Sequence, residues 1–597
     1  MLDLRKVFPF LSWIHEIKDP AVLRADLVAG ITVSLVLIPQ SMAYAQLAGL
    51  PPYFGLYISF MPVLIAALWG SSRQLATGPV AVVSLMTATA LATVVGGTAI
   101  SNPELAAKYI PLAMFLSLLV GGFQFLLGIF RLGVVVNFLS HPVIVGFTNA
   151  AAIVIGLSQL SKIFGVSMPG VASDPFLSVR IWGVVQQLGE THIATLLMGI
   201  AAFAIMVGLK KFYPRSPCVL VAVVFTTVTS WLIGFREMGG SVVGAIPEGL
   251  PDIIVPVVDL DLFITLLPSA IIIALVGFME AISIAKAMAA KTKDRIDPNK
   301  ELIGQGLGNI VGSFTQAYPS SGSFSRSAVN LNAGARTGFS SVVTAAVVVI
   351  TLLFLTPLLY HLPTAALAAV IMMAVFGLIS ISAVKHAWRA NTHDGVAAVV
   401  TFVATLAFAP HLDKGIMIGA GLSIILYLYR TMQPRVAVLG RYKDGTLRDL
   451  AVHPDLKSDD KVAAIRFDGT LYFANVSFFE DAVLKAVAKK PDAKFILIVG
   501  DAINQIDASG EDVLHHVVQR LKDSGVTIVF SGLKKQILDV LKRTGVYDQI
   551  GEQNIHATSD IALNAIYQKL ALLKDSEEDL FCPLYPDFIA EGYKRVE

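Results

Sequence analysis

The chain has 597 residues, of which 55% are hydrophobic and only 15% charged, whereas soluble domains carry about 25% charged residues. That balance excludes an ordinary soluble enzyme and identifies a polytopic membrane protein. A net charge of +2 gives no case for nucleic acid as a partner, and Cys218 and Cys582 are too far apart in sequence to make a disulfide framework or a metal site.

Residues 1–26 read as an N-terminal cytoplasmic or interfacial segment. Phe8, Phe10, Trp13 and Ile14 among charges give Met1 to Lys18 an amphipathic character suited to the lipid surface. Ala43-Tyr44-Ala45 resembles a signal cleavage site, but what precedes it is too long and mixed in charge, so no cleavage is expected. From 27 to 433 apolar runs of spanning length recur, near 27–46, 53–69, 110–130, 143–160, 193–209, 218–235, 262–285, 339–358, 363–381, 394–409 and 415–432. Shorter segments near 79–95, 300–316 and 324–335 bring the number to fourteen. Counted so, with a cytoplasmic N-terminus, Arg73, Arg131, Lys210, Lys211, Arg215, Lys291, Lys293, Arg295, Lys300, Arg336, Lys385 and Arg389 share the inner side. The outer side holds mainly Lys108, Lys162, Arg180, Arg236 and Lys414. The positive-inside rule then puts both termini in the cytoplasm.

Two segments are short and broken by Gly, Pro or Ser. They are Thr77-Gly-Pro-Val-Ala81 and Ser323-Phe-Ser-Arg-Ser327, one in each half of the membrane region. Such a pair points to a binding site between inverted repeats. Arg326 sharpens the point, because an ionisable side chain in hydrocarbon is costly and marks a functional cavity. The residues before it are small and helix-breaking, so a helix starting near Phe324 or Ser325 aims free N–H groups and a positive dipole end at the spot the guanidinium occupies. A solvated arginine in a cytoplasmic loop is the alternative. Gly304-x-x-x-Gly308-x-x-x-Gly312 has no strand before it and reads as a close-packing helix face, not a nucleotide loop.

After Pro434 the composition changes, and residues 434–597 read as a soluble α/β domain. Strands are expected at 462–467 and 471–473 around an Asp468-Gly469 turn, and at 494–499 and 526–530. Helices are expected at 477–488, 509–522, 534–543 and 561–573. Phe467-Asp-Gly-Thr-Leu471 has the look of a phosphatase nucleophile loop, but Arg466 stands where a first aspartate is needed, so no enzyme is expected there. Asn475-Val-Ser477 is a glycosylation acceptor only formally, being on the cytoplasmic side.

Asp26-Leu-Val-Ala-Gly-Ile-Thr32, Ile38-Pro-Gln-Ser-Met-Ala-Tyr-Ala45, Leu50-Pro-Pro-Tyr-Phe-Gly-Leu-Tyr57, Gly70-Ser-Ser-Arg73, Thr77-Gly-Pro-Val-Ala81 and Ser323-Phe-Ser-Arg-Ser327 resemble motifs of the SulP anion permease family. The soluble part resembles the STAS domain that follows the transport domain there. The resemblance implies an α-helical polytopic membrane protein of two inverted seven-segment repeats with core and gate subdomains, followed by an α/β STAS domain. It also implies frequent homodimers, no cofactor, an anion held at the facing ends of two half-helices, and a STAS domain open to a regulatory protein. Carried over, the site falls on Gln40, Tyr44, Val80, Ala81, Ser325 and Arg326. Tyr44 as a packing tyrosine, and Gln40 as a helix–helix hydrogen bond beside Pro39, are the alternatives. Ser509 in Ile506-Asp-Ala-Ser-Gly510 matches a serine phosphorylated in bacterial STAS relatives; a serine at a helix start is otherwise an N-cap.

Arg326 contributes a full charge and each half-helix N-terminus about half a charge, near +2 together, which suits a dianion such as sulfate. Bicarbonate beside a carboxylate also balances. No phosphate-binding loop is present to couple ATP, so uptake needs a cation gradient or exchange. Glu280, among Val, Phe and Ile, can be carried neutral when protonated and is the coupling candidate; in the family an acidic residue on this helix is associated with the cation. A structural hydrogen-bond partner is the alternative role. The expectation is proton-coupled sulfate uptake across a bacterial plasma membrane. Sodium-coupled bicarbonate uptake, chloride/bicarbonate/dicarboxylate exchange, and an anion-sensing membrane scaffold are the competing readings.

Overall fold

The computed structural model describes residues 8–95, 103–133, 140–166, 177–213, 216–256, 259–409, 411–572 and 582–586. Internal contacts divide the chain into two units, Met1–Ser423 and Ile424–Glu597.

The first unit is helical for a physical reason: in hydrocarbon every backbone N–H and C=O must be satisfied within the protein. Among the described residues eight helices are long and apolar enough to cross a membrane, and four shorter apolar ones join them. With the more polar Pro298–Phe314 and Phe324–Asn332, the set reaches the expected fourteen. The elements that build the site are α1 (Pro20–Leu47), α2 (Met61–Trp69), β1 (Thr77–Gly78), α3 (Ala81–Val95), α4 (Pro103–Ile129), α5 (Leu260–Thr292), α6 (Pro298–Phe314), β2 (Ser321–Gly322), α7 (Phe324–Asn332) and α8 (Phe339–Ile350).

α1 starts where Asp19 accepts from the N–H of Ala21 at 2.9 Å, with Pro20 in the first turn. Its Asp26, fully buried, accepts from Arg336 N at 2.7 Å and Thr337 N at 3.1 Å, tying the start of α1 to the loop before α8. The glycines of α6 do what their spacing predicts. A Cβ on Gly304 would meet Gly70 N at 2.6 Å, and one on Gly312 would meet Pro62 Cγ at 2.7 Å, so α6 lies against α2 and the loop that follows it. On another side of α6, Gly306 faces the backbone of Gly121 and Phe125 in α4.

The described part of the N-terminal segment is two 3-10 turns, Pro9–Ser12 and Ile14–Lys18, and its aromatic side faces the protein itself. Trp13 is 5% exposed and packs on Gly338, while Phe8 and Phe10 meet the ring of Trp69 edge-on at 6.1 and 6.4 Å. Glu16 forms a two-point ion pair with Arg73 at 3.0 and 3.1 Å.

The second unit holds β3 (Val436–Arg441), β4 (Leu447–Asp449), β5 (Val462–Phe467), α9 (Val476–Ala488), β6 (Phe495–Val499), α10 (Ala508–Asp523), β7 (Thr527–Ser531), α11 (Lys535–Thr544), β8 (Ile555–His556) and α12 (Ser559–Leu572). The sheet order is β4-β3-β5-β6-β7-β8, antiparallel as far as β5 and parallel from there. One face buries Phe467, Phe479, Val517 and Leu541, and the other buries Leu497, Leu563 and Ile566.

The hairpin expected around Asp468-Gly469 does not form. Leu471 donates to Gln505 O at 3.0 Å and accepts from Asp507 N at 3.2 Å, so this segment follows the loop before α10. β5 pairs instead with β3 and β6. Asp468 is paired with Arg466 at 2.6 Å, and its N–H donates to Arg435 O at 2.9 Å, continuing the β3 side of the sheet. Asn475 is buried and donates to Thr470 O at 2.8 Å, a structural role for the formal acceptor.

Candidate functional site

The two broken segments meet. β1 and β2 pair antiparallel, Thr77 opposite Gly322 and Gly78 opposite Ser321. The chain leaves each strand into a half-helix, α3 after β1 and α7 after β2, so both N-termini start at the crossing. Ala76 stitches them further: its N–H donates to Ser327 Oγ at 2.9 Å and its carbonyl accepts from Ser323 N at 2.9 Å. Gly78 has φ +142°, a conformation that side chains rarely adopt, and a Cβ there would lie 3.2 Å from Arg326 Nη2. Glycine is required for the backbone, and a Cβ there would also press on the guanidinium.

Arg326 is completely buried. Its Nη1 donates to Gln40 Oε1 at 3.1 Å, while Nε and Nη2 have no hydrogen-bond partner among the described residues. It joins none of the ion pairs found there. Tyr44, Tyr318 and Glu280 are near enough to act on it electrostatically. A buried guanidinium that forms no ion pair is costly unless an anion completes it.

Of the residues read from the sequence, Gln40, Tyr44, Glu280 and Arg326 are therefore gathered around one point. Gln40 and Tyr44 are buried on the second half of α1, which runs unbroken through Pro39, and Glu280 is half-buried on α5. Val80 and Ala81, both buried, stand at the start of α3 just past Gly78. Ser325 differs: it is exposed, with its hydroxyl 3.4 Å from that of Ser323. Ser509 belongs to the second unit, where it is exposed in the first turn of α10. The N-cap there is Asp507, which accepts from Gly510 N at 2.8 Å, so the capping role expected of Ser509 falls to its neighbour.

Gly78 as a contact of Arg326 is not evident in the sequence, and neither is Tyr318, fully buried with its hydroxyl 3.3 Å from Ser84 Oγ at the other half-helix. Glu301, Gln305 and Asn309 were missed too. Their signal was the same period of four that exposed the glycines beside them.

Residues 23–401 match the sulfate permease family, and residues 453–562 match the STAS domain. The chain is 35% identical over 598 residues to the probable sulfate transporter 4.2 of Arabidopsis thaliana, covering 96% of this chain and 86% of that protein. It is 36% identical to the chloroplastic sulfate transporter 4.1 of the same plant, covering 92% and 80%. The murine solute carrier 26 family member A9 anion transporter, in its inward-facing state, superposes with a TM-score of 0.86 at 24% identity, covering 94% of each chain. The family match spans well over half of the chain and the relatives nearly all of it: this integral membrane protein belongs to the sulfate permease family and carries a STAS domain.

Proposed function

We propose that the chain is a secondary active importer of sulfate, driven by protons, with the anion held between the N-termini of α3 and α7 against Arg326. Anion transport is the family's work, and the sulfate transporters among the relatives support the substrate. The observation that carries the site is Arg326 itself, wholly buried with two donor nitrogens unpartnered among the described residues. Gln40, Tyr44, Val80, Ala81 and Ser325 surround or flank the crossing and supply orientation and hydrogen bonds. A guanidinium and two dipole ends total near +2, which matches a dianion. Glu280 is the coupling group, and the termini lie in the cytoplasm as the distribution of Lys and Arg favours. Ser509, exposed at a helix start, is the regulatory position.

Bicarbonate uptake with sodium is the second reading, because Glu280 is within electrostatic reach of Arg326 and an ionised carboxylate there reduces the charge left for the substrate. Counterflow in proteoliposomes with sulfate, bicarbonate, chloride and dicarboxylates separates the readings. Saturable sulfate exchange is the expected result. Flux of bicarbonate alone transfers the assignment, and no flux of any anion leaves a sensing scaffold.

A further inference from the structure

Glu301, Gln305 and Asn309 stand four residues apart on α6, on one face, and all are at most 2% exposed. Each grips a different part of the crossing. Glu301 Oε2 accepts from Ser71 N at 2.9 Å, Ser72 N at 3.0 Å and Ser71 Oγ at 3.0 Å, in the loop that leads to β1. Gln305 Nε2 donates to Thr77 Oγ1, in β1 itself, at 2.8 Å. Asn309 serves β2: its Oδ1 accepts from Ser320 N at 2.7 Å and Ser320 Oγ at 2.8 Å, and its Nδ2 donates to Ser320 O at 3.2 Å. The same Nδ2 donates to Gln124 Oε1 at 3.1 Å, and Gln124 in turn donates to Ala274 O on α5 at 3.1 Å.

Something must fix the crossing. The ladder between β1 and β2 has only two residue pairs, and a two-stranded unit is marginal by itself. The dipoles of α3 and α7 add at one point only while their N-termini stay aimed at it. The N–H groups of Ser71, Ser72 and Ser320 belong to the backbone and need acceptors once buried, and taking those acceptors from one helix face fixes the places of both segments together.

We propose that Glu301, Gln305 and Asn309 form a positioning stripe that sets the separation and aim of the two half-helix N-termini, and through them the affinity and selectivity of the anion site, without contact with the anion. The proposal rests on the reading of the crossing as that site. Glu301 and Gln305 hold the first repeat and Asn309 the second, so α6 acts as a rigid gauge between them.

The test uses full-length protein in proteoliposomes and the small substitutions Thr77→Val, which removes the hydrogen bond of Gln305 to β1, and Ser320→Ala, which removes one of the three hydrogen bonds of Asn309 to Ser320 and leaves the two backbone ones. Radiolabelled sulfate counterflow gives KM and Vmax, competition with selenate gives selectivity, and size-exclusion profiles give the folded fraction. Thr77→Val is expected to raise the sulfate KM by roughly tenfold, given that misplacement by about 1 Å can cost up to 100-fold, and to shift the sulfate-to-selenate preference, with a smaller change in the same direction for Ser320→Ala. Thr77→Ser, which keeps the hydroxyl, should restore KM. A role in folding alone would lower the folded fraction and Vmax with KM and selectivity unchanged, and that result overturns the proposal; so does a KM shift that Thr77→Ser fails to correct. Arg326→Ala run beside them separates the two readings. If it loses sulfate binding while Thr77→Val and Ser320→Ala keep wild-type KM, only the stripe falls. If it binds sulfate like the wild type, the site falls and the stripe with it.

Discussion

Arg326 is fully buried and only Gln40 accepts a hydrogen bond from it among the described residues, which makes it the proposed anchor of the anion. Substituting Arg326 by Ala leaves dipoles and hydroxyls at the crossing. Truncating one member of a buried charge pair costs about 2–5 kcal/mol, so calorimetry should show sulfate affinity reduced by at least about thirtyfold in a protein that still elutes as a folded species. Arg326→Lys should recover only part of that, since an ammonium lacks the planar fork. Wild-type affinity in the Ala variant would place the site elsewhere. Arg326 was legible in the sequence because a cation between apolar runs is conspicuous, and Gln40 and Tyr44 were legible through the motif around Pro39. Gly78 was not legible as a contact: its role depends on φ +142° and on a side chain 248 positions away in sequence, neither of which local pattern carries.

Among the elements, α6 shows how a membrane helix substitutes close approach for hydrophobic drive, since lipid is as apolar as any side chain that faces it. Gly121 on α4 meets the carbonyl of Gly306 and the N–H of Ile310, both backbone, 2.7 Å from where a Cβ would sit, whereas its neighbour Gly122 has nothing within 4 Å. Gly121→Val should therefore destabilise by about 1–3 kcal/mol through overpacking and lower the melting temperature measured in detergent. Gly122→Ala should be neutral or stabilising by up to about 1 kcal/mol, because Ala is the better helix former. Equal effects at the two positions would refute the packing of α4 on α6. The apolar runs made nearly every span legible, including the short ones, because length and hydropathy are properties of the segment itself. Pairings were harder. Leu471 to Phe473 has strand-forming residues, yet its hydrogen bonds go to Gln505 and Asp507, a choice made by the packing of the whole sheet.

At the scale of the molecule the question is what pays for moving charge. Two negative charges carried inward against about 100 mV cost about 4.6 kcal/mol, so concentrative uptake needs a co-transported cation or an exchanged anion. Glu280 stands on α5, whose Gly277 carbonyl accepts from Ser321 Oγ of β2 at 2.6 Å, so the coupling candidate and the crossing share one packed contact. If Glu280 carries the proton, Glu280→Gln keeps the shape of the protonated group and removes its titration. Anion exchange should then persist while accumulation driven by an inward proton gradient disappears. Were Glu280 only a structural partner, the glutamine would either preserve gradient-driven uptake or prevent folding. Radiolabelled sulfate in proteoliposomes, followed first by counterflow and then under an imposed pH gradient, distinguishes these outcomes. Intact counterflow with lost accumulation supports the assignment, and acid-driven accumulation by the variant removes it. A sodium gradient imposed on wild-type vesicles at constant pH completes the argument: accumulation there identifies sodium as the coupling ion, and its absence leaves the proton.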